Sequence, residues 1–177
     1  MTNRSPAALI AAFLALAAGT PAKAADDPAS LAFLDGLEHL SESRAVDRID
    51  AVSKALGLTF VEDKDGGFAR VDVRPAWLFQ GNYLRAGDPP GKNGTNLTLS
   101  LTPAAGCVRM EDVTARFGAH YKSVPTRLET FRKDGGITPQ LAYTVFYDYP
   151  GKPSLKVVFD PDGKGCFTVI ELLSGPK

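Results

Sequence analysis

Three short patterns occur twice in this chain, in the same order, and that recurrence restricts the fold more than any other feature. The first is helical. Ile49, Val52 and Leu56 precede Gly57, and Met110, Val113 and Phe117 precede Gly118. Each set is spaced i, i+3, i+7, which puts three apolar side chains on one helix face. The closing glycine accepts the left-handed conformation that stops a helix. The second pattern is Lys64-Asp65-Gly66-Gly67, repeated as Lys133-Asp134-Gly135-Gly136. Asp-Gly between strand-like runs signals a hairpin turn, because the turn needs positive φ. The third is Gly106-Cys107, repeated as Gly165-Cys166. The expectation is a diverged duplication, with units at 25–106 and 107–177 packed as one compact domain. Helix and hairpins recurring without common ancestry is the competing reading.

Strand patterns fill the space between these markers. Phe68 to Gln80 alternates, with Ala69, Val71, Val73, Trp77 and Phe79 on one side and Arg70, Asp72 and Arg74 on the other. Leu97, Leu99 and Leu101 alternate with Asn96, Thr98, Ser100 and Thr102, and Leu155, Val157 and Phe159 with Ser154, Lys156, Val158 and Asp160. Such alternation suits an antiparallel sheet covered on one face. Near residue 28 a helix is predicted to Leu40, capped by Asp27, with Pro28 in its first turn and a stripe of Leu31, Leu34, Leu37 and Leu40. The first unit then reads as two helices and strands near 58–62, 68–80, 96–102 and 107. The second reads as a helix over 109–118 and strands near 128–132, 141–149, 154–160 and 166–173. The fold class is α+β, two tandem units of helix plus four-stranded antiparallel sheet, helices on one sheet face.

Helices followed by a four-stranded antiparallel sheet, in tandem, resemble the β-lactamase-inhibitor-protein fold, and a single unit is similar to outer-membrane assembly lipoproteins of the SmpA/BamE type. The helix ending Asp112-Val113-Thr114-Ala115-Arg116-Phe117-Gly118 is similar to what those modules carry. The resemblance covers most of residues 28–173 in layout more than in residues. Disulfides within each repeat belong to the family pattern, and one Cys per repeat departs from it. The resemblance implies helices on one sheet face, with the other face and its loops meeting a partner protein.

Residues 1–24 read as an export signal. Arg4 supplies a positive start, Ala7 to Ala18 is an apolar run, Gly19-Thr20-Pro21 breaks it, and Ala22-Lys23-Ala24 offers a small-x-small cleavage site. The run is too short for a bilayer span of roughly 20 residues. Cleavage after Ala24 removes Arg4 and Lys23, so 18 of the 20 basic residues face 20 acidic ones, a net charge of −2. A periplasmic or secreted location is expected. In an oxidising compartment Cys107 and Cys166 are first read as a disulfide, which would close a loop of about 60 residues worth roughly 4 kcal/mol. Two buried thiols and a catalytic thiol are the other readings.

Chemistry is sparse. No G-x-S-x-G, H-E-x-x-H or phosphate-binding glycine loop occurs. His39 and His120 read as exposed residues, and Glu111 with Asp112 and Asp35 with Glu38 as helix-start or solvated charge. Asp63-Lys64-Asp65-Gly66 and Asp160-Pro161-Asp162-Gly163 open like calcium loops, but the twelfth residues are Arg74 and the strand residue Glu171. They read as hairpin turns. No catalytic residue, cofactor or metal is expected. A near-neutral charge gives no footprint for nucleic acid.

What remains is surface. Gly81 to Gly94 reads as a long polar loop holding Tyr83 and Arg85, residue types favoured in interfaces. In Ala142 to Tyr149, Tyr143, Val145, Tyr147 and Tyr149 share one face. Aligning the two Asp-Gly-Gly turns places Tyr143 and Tyr147 on the same face as Arg70 and Arg74. A one-residue register difference would bury the tyrosines instead. The expected function is an exported, non-enzymatic protein-binding protein, of inhibitor or immunity type, occluding a hydrolase through Tyr83, Arg85, Arg70, Arg74, Tyr143 and Tyr147. The alternatives are a cell-envelope assembly factor and a carrier of a small apolar ligand with a cavity lined by Trp77, Phe79 and Phe146.

Overall fold

The structure is a computed structural model that describes residues 28–102, 106–131, 133–149, 155–162 and 165–175. The N-terminal segment 1–24 and the Asp27 cap lie outside these residues. Helix α1 spans Pro28–Ser43, a 3-10 turn spans Ala45–Asp47, α2 spans Ile49–Leu56, and α3 spans Met110–Phe117. The eight strands are β1 (Phe60–Glu62), β2 (Phe68–Val71), β3 (Leu78–Arg85), β4 (Thr95–Leu101), β5 (Lys122–Phe131), β6 (Ile137–Tyr149), β7 (Leu155–Pro161) and β8 (Phe167–Ser174). They form one antiparallel sheet in the order β1-β2-β3-β4-β8-β7-β6-β5. The class is α+β.

Helices α2 and α3 end at the glycines the sequence places after them, whereas α1 runs past the expected Leu40 to Ser43. Gly57 closes α2 at φ 64°, its amide donating to the Ser53 carbonyl. At the start of α3 the Asp112 carboxylate accepts from the Arg109 amide at 2.8 Å, so the acidic residue caps the helix. In α1, Leu34, Leu37 and Leu40 are fully buried. Gly36 faces α2, where a Cβ would collide with the Ala55 carbonyl oxygen, so the two helices approach closely. The Arg116 guanidinium binds Asp35 at 2.7 Å and ties α3 to α1. This helix layer covers one face of the sheet, over Ala69, Val71, Tyr83, Leu97, Leu99, Val145, Tyr147, Val157, Phe159, Ile170 and Leu172.

Several sequence expectations are corrected. The run 68–80 is two strands, because the chain turns over 72–77, with the Leu78 amide donating to the Pro75 carbonyl at 3.0 Å. Gly81 to Arg85 is not loop but the body of β3. Gly81 reads as a loop residue, yet it serves a close approach: a Cβ there would lie 2.6 Å from Val71 Cγ2. The nonregular connection is confined to residues 86–94. It links β3 to β4. No strand forms at 107; Val108 makes a single bridge to Phe167. Cys107 therefore follows β4 whereas Cys166 precedes β8, and the two are not equivalently placed. Their sulfurs are at bonding distance, with Cα atoms 5.0 Å apart, which fits the disulfide reading.

Candidate functional site

The most distinctive surface belongs to β5 and β6. These strands pair over ten residues, from Lys122↔Phe146 to Phe131↔Ile137, but β7 pairs with β6 only from Val145 to Tyr149. Residues 124–131 and 137–144 therefore run on as a two-stranded arm, roughly 26 Å long at 3.3 Å per residue. Val124, Ile137, Leu141 and Tyr143 are exposed on it, Leu141 by 65% and Tyr143 by 53%.

At the base of the arm lies a groove of about 480 Å³. Met110, Tyr121, Leu141, Tyr143, Val145 and Phe167 give it an apolar lining, and Ser123 and Asp162 add polar atoms. Of the helices, only α3 reaches it, through Met110. Pro161, Asp162 and Gly165 also line it, and there the Asp162 side chain accepts from the Cys166 amide at 2.9 Å and the Asp162 amide donates to the Cys166 carbonyl at 2.6 Å. Cys166 is in turn paired with Cys107. Nothing in this lining is a nucleophile with an adjacent base.

The tyrosines of β6 do share a face, and Phe146 takes the other, but the face is the one beneath the helices. Tyr147 is 2% exposed; its hydroxyl donates to the Gly118 carbonyl at 2.8 Å, and burial pushes its pKa up to about 12. Tyr83 is 1% exposed, donates to the Val46 carbonyl at 2.8 Å, and is pushed up to about 12 by burial. Neither hydroxyl is presented to a partner. Tyr143 alone of the three stays accessible, because it stands beyond the end of the β6–β7 pairing.

Arg70 projects from the opposite, uncovered face of the sheet, and Arg74 lies in the β2–β3 turn with its guanidinium donating to the Phe79 carbonyl. Together with Asp72, Gln80 and Asn82 they line a shallow depression of about 340 Å³, apart from the tyrosines. The expected common face fails because the two hairpins differ by one residue. Residues 63–68 separate the pair Glu62↔Ala69, whereas 132–136 separate Phe131↔Ile137. An odd difference in loop length exchanges the faces of the returning strand. Arg85 forms an ion pair with Glu62. Trp77 stacks on Phe33 at 4.7 Å, Phe79 is exposed at the β3–β4 bulge, and Phe146 faces away from the helices, so these three line no common cavity.

The uncovered face is mixed: Val61, Phe68 and Leu84 are exposed at its β1–β3 end, and its β5–β7 part is ordered by side-chain hydrogen bonds. The hydroxyls of Thr126 and Thr144 meet at 2.6 Å, and Thr144 donates to Asp160 at 2.7 Å. Lys122 binds Asp148 at 2.6 Å and holds that carboxyl below its ordinary value. Glu171 is shifted the other way, first by burial and then by Asp160. Among the described residues there is no group of three or more His, Cys, Asp or Glu that could hold a metal ion, and no helix long and apolar enough to cross a membrane. His39 and His120 are both exposed. No protein-family model matches the sequence, and no characterised protein or solved structure matches it.

Proposed function

We propose that this chain is an exported, non-enzymatic protein that binds another protein, and that the β5–β6 arm with the groove at its base is the contact surface. The observation that carries this reading is the concentration of accessible apolar side chains there. Leu141, Tyr143 and Tyr121 are exposed around one concavity, whereas the exposed Val61, Phe68 and Leu84 lie on the uncovered face of β1–β3, where the depression is lined chiefly by Arg70, Asp72, Arg74, Gln80 and Asn82. An inhibitor or immunity role suits an arm that projects beyond the body of the sheet into a hydrolase cleft. Export is supported by the apolar segment 7–18, its small-x-small boundary, and the paired Cys107 and Cys166.

The test is affinity capture from native periplasm and from detergent-solubilised envelope. The control baits carry Leu141→Asp with Tyr143→Ala for the arm, and Arg70→Ala with Arg74→Ala for the uncovered face. A single soluble enzyme retained by the second bait and lost by the first supports the proposal. Loss with the arginine bait alone moves the contact to the open sheet face. Outer-membrane components captured in its place favour the assembly-factor reading. A second reading, a carrier of a small apolar ligand, is favoured by the groove volume, which lies in the usual range of about 300–1,000 Å³. Recovery of a small apolar molecule bound to the purified chain, with no protein captured by any bait, supports it.

We further propose a duplicated ancestry, with units at 25–106 and 107–177, as in the layout of the β-lactamase-inhibitor-protein fold. The palindromic strand order supports it, since a two-fold axis between β4 and β8 exchanges β1–β4 with β5–β8. The Lys-Asp-Gly-Gly turns join β1 to β2 and β5 to β6, and a glycine-terminated helix precedes each set. The Gly-Cys pairs contribute nothing to this argument, as one follows β4 and the other precedes β8.

A further inference from the structure

We infer that β5 is a pairing edge for a second copy of this chain, in one antiparallel register fixed by Arg127 and Glu129. The inference is independent of the partner-binding role of the groove. Strand β5 closes one end of the sheet and has β6 on one side only. Which backbone groups its free side presents follows from two prolines. Pro125 pairs with Tyr143, and Pro139 pairs with Glu129, so both fall in the odd-numbered pairs of the ladder. Proline has no amide hydrogen to donate. The ladder closes without losing bonds when the odd pairs are the non-hydrogen-bonded ones. The amide and carbonyl groups of Ser123, Arg127 and Glu129, and the Pro125 carbonyl, then point outward along the edge.

A second β5 approaching antiparallel must place odd residues opposite odd residues. A two-fold axis through residue 128 sets Arg127 against Glu129 of the partner subunit, and Glu129 against the partner subunit's Arg127. An axis through 127 opposes two arginines, an axis through 129 opposes two glutamates, and an axis through 126 leaves both charges without an opposite. Directly opposed like charges destabilise a strand pair, and opposite charges stabilise it. Both side chains are exposed, and among the described residues neither has an ion pair or hydrogen bond to give up. The arm also needs company. A two-stranded ribbon is marginal alone, whereas two arms joined edge to edge make four strands. Pro125 and the two charges, devices that blunt an edge against indiscriminate pairing, here select one register.

The experiment is sedimentation of the purified full chain over a range of concentrations, with circular dichroism confirming that each variant folds. The wild type is expected to dimerise. Arg127→Glu and Glu129→Arg are each expected to weaken the dimer roughly ten- to a hundred-fold, since each opposes like charges twice. The double exchange Arg127→Glu with Glu129→Arg restores both pairs and is expected to recover the dimer. Arg127→Pro, which removes one outward amide and no β5–β6 bond, is expected to abolish it. A wild type that stays monomeric at every concentration overturns the proposal. So does a dimer indifferent to the two single reversals, or one that the double exchange fails to recover.

Discussion

The hydroxyl of Tyr83 donates to the carbonyl of Val46 at 2.8 Å, so a side chain in the middle of β3 holds the 3-10 turn between α1 and α2. Val46 is itself buried. Tyr83→Phe therefore strands a carbonyl with no access to water, at a cost of about 1–2 kcal/mol. The comparable bond from Tyr147 ends on Gly118, which is exposed, so water can replace the lost donor. Chemical denaturation of the two Tyr→Phe variants should show the larger midpoint shift for Tyr83. Equal shifts would mean that the Val46 carbonyl finds another donor.

The Cys107–Cys166 link spans 59 residues and joins the segment after β4 to the start of β8. Loop-closure entropy assigns such a link about 4 kcal/mol. Beside it, Val108 and Phe167 are buried in the core, and Asp162 bonds to Cys166 through both its amide and its side chain. The Phe167 amide donates to the Val108 carbonyl at 2.8 Å, and Val108 makes only that isolated bridge. Cys107→Ser with Cys166→Ser should lower stability by about 2–5 kcal/mol. Hydrogen exchange should accelerate first at the Phe167 amide and around the β7–β8 turn. A variant with wild-type stability would show that the link is not formed in the protein as isolated.

Glu171 and Asp148 lie on the uncovered face and respond to pH with opposite sign. Burial, and then Asp160, raise the Glu171 pKa, so the fold favours its neutral form. That contribution is present in acid and is lost as pH rises through the raised value. Glu171→Gln should then raise the melting temperature at neutral pH by about 1–2 °C, and the gain should vanish below the ordinary glutamate value of about 4.3. The hydrogen bond from Lys122 lowers the Asp148 pKa, so its contribution is present above the ordinary value and disappears as pH falls through the lowered one. Asp148→Asn should lower stability at neutral pH by a few tenths of a kcal/mol, because the pair is well exposed. Thermal melts of both variants across pH 3–8 check the signs. A Glu171→Gln variant that melts lower at pH 7 would contradict this account.

The helices and most strands are legible in the sequence because their signals are local. Leu34, Leu37 and Leu40 repeat at helical spacing, and Leu97, Leu99 and Leu101 alternate with polar residues; all are buried as the pattern requires. Strand β3 escapes notice because Gly81 and Asn82 interrupt it, and the reason for Gly81 is the Val71 side chain, which sits on a different strand. The face of the β6 tyrosines depends on whether the preceding loop has an odd or even length, which Asp-Gly-Gly alone does not state. The candidate site is the least legible part. Leu141 and Tyr143 alternate just as Val145 and Tyr147 do, and local pattern cannot distinguish them. What separates them is that β7 stops pairing at Val145, a consequence of strand order far along the chain.

That distinction supplies a test at single residues. Leu141 and Val145 lie on the same face of the same strand, one exposed by 65% and the other by 4%. Val145 packs in the core with Tyr147 and Phe159, whereas Leu141 stands on the arm beside the groove. Val145→Asp buries a charge with no partner and should prevent folding or cost more than about 4 kcal/mol. Leu141→Asp should change stability by no more than about 0.5 kcal/mol. It should nevertheless reduce binding of a fluorescent apolar probe, because it places a carboxylate on the rim of the groove that Tyr121, Tyr143 and Phe167 line. Urea denaturation separates the two variants, and probe titration reads the groove. If Leu141→Asp destabilises the chain as Val145→Asp does, the arm is packed against something in solution, and the dimer test on Arg127 and Glu129 identifies whether that something is a second copy.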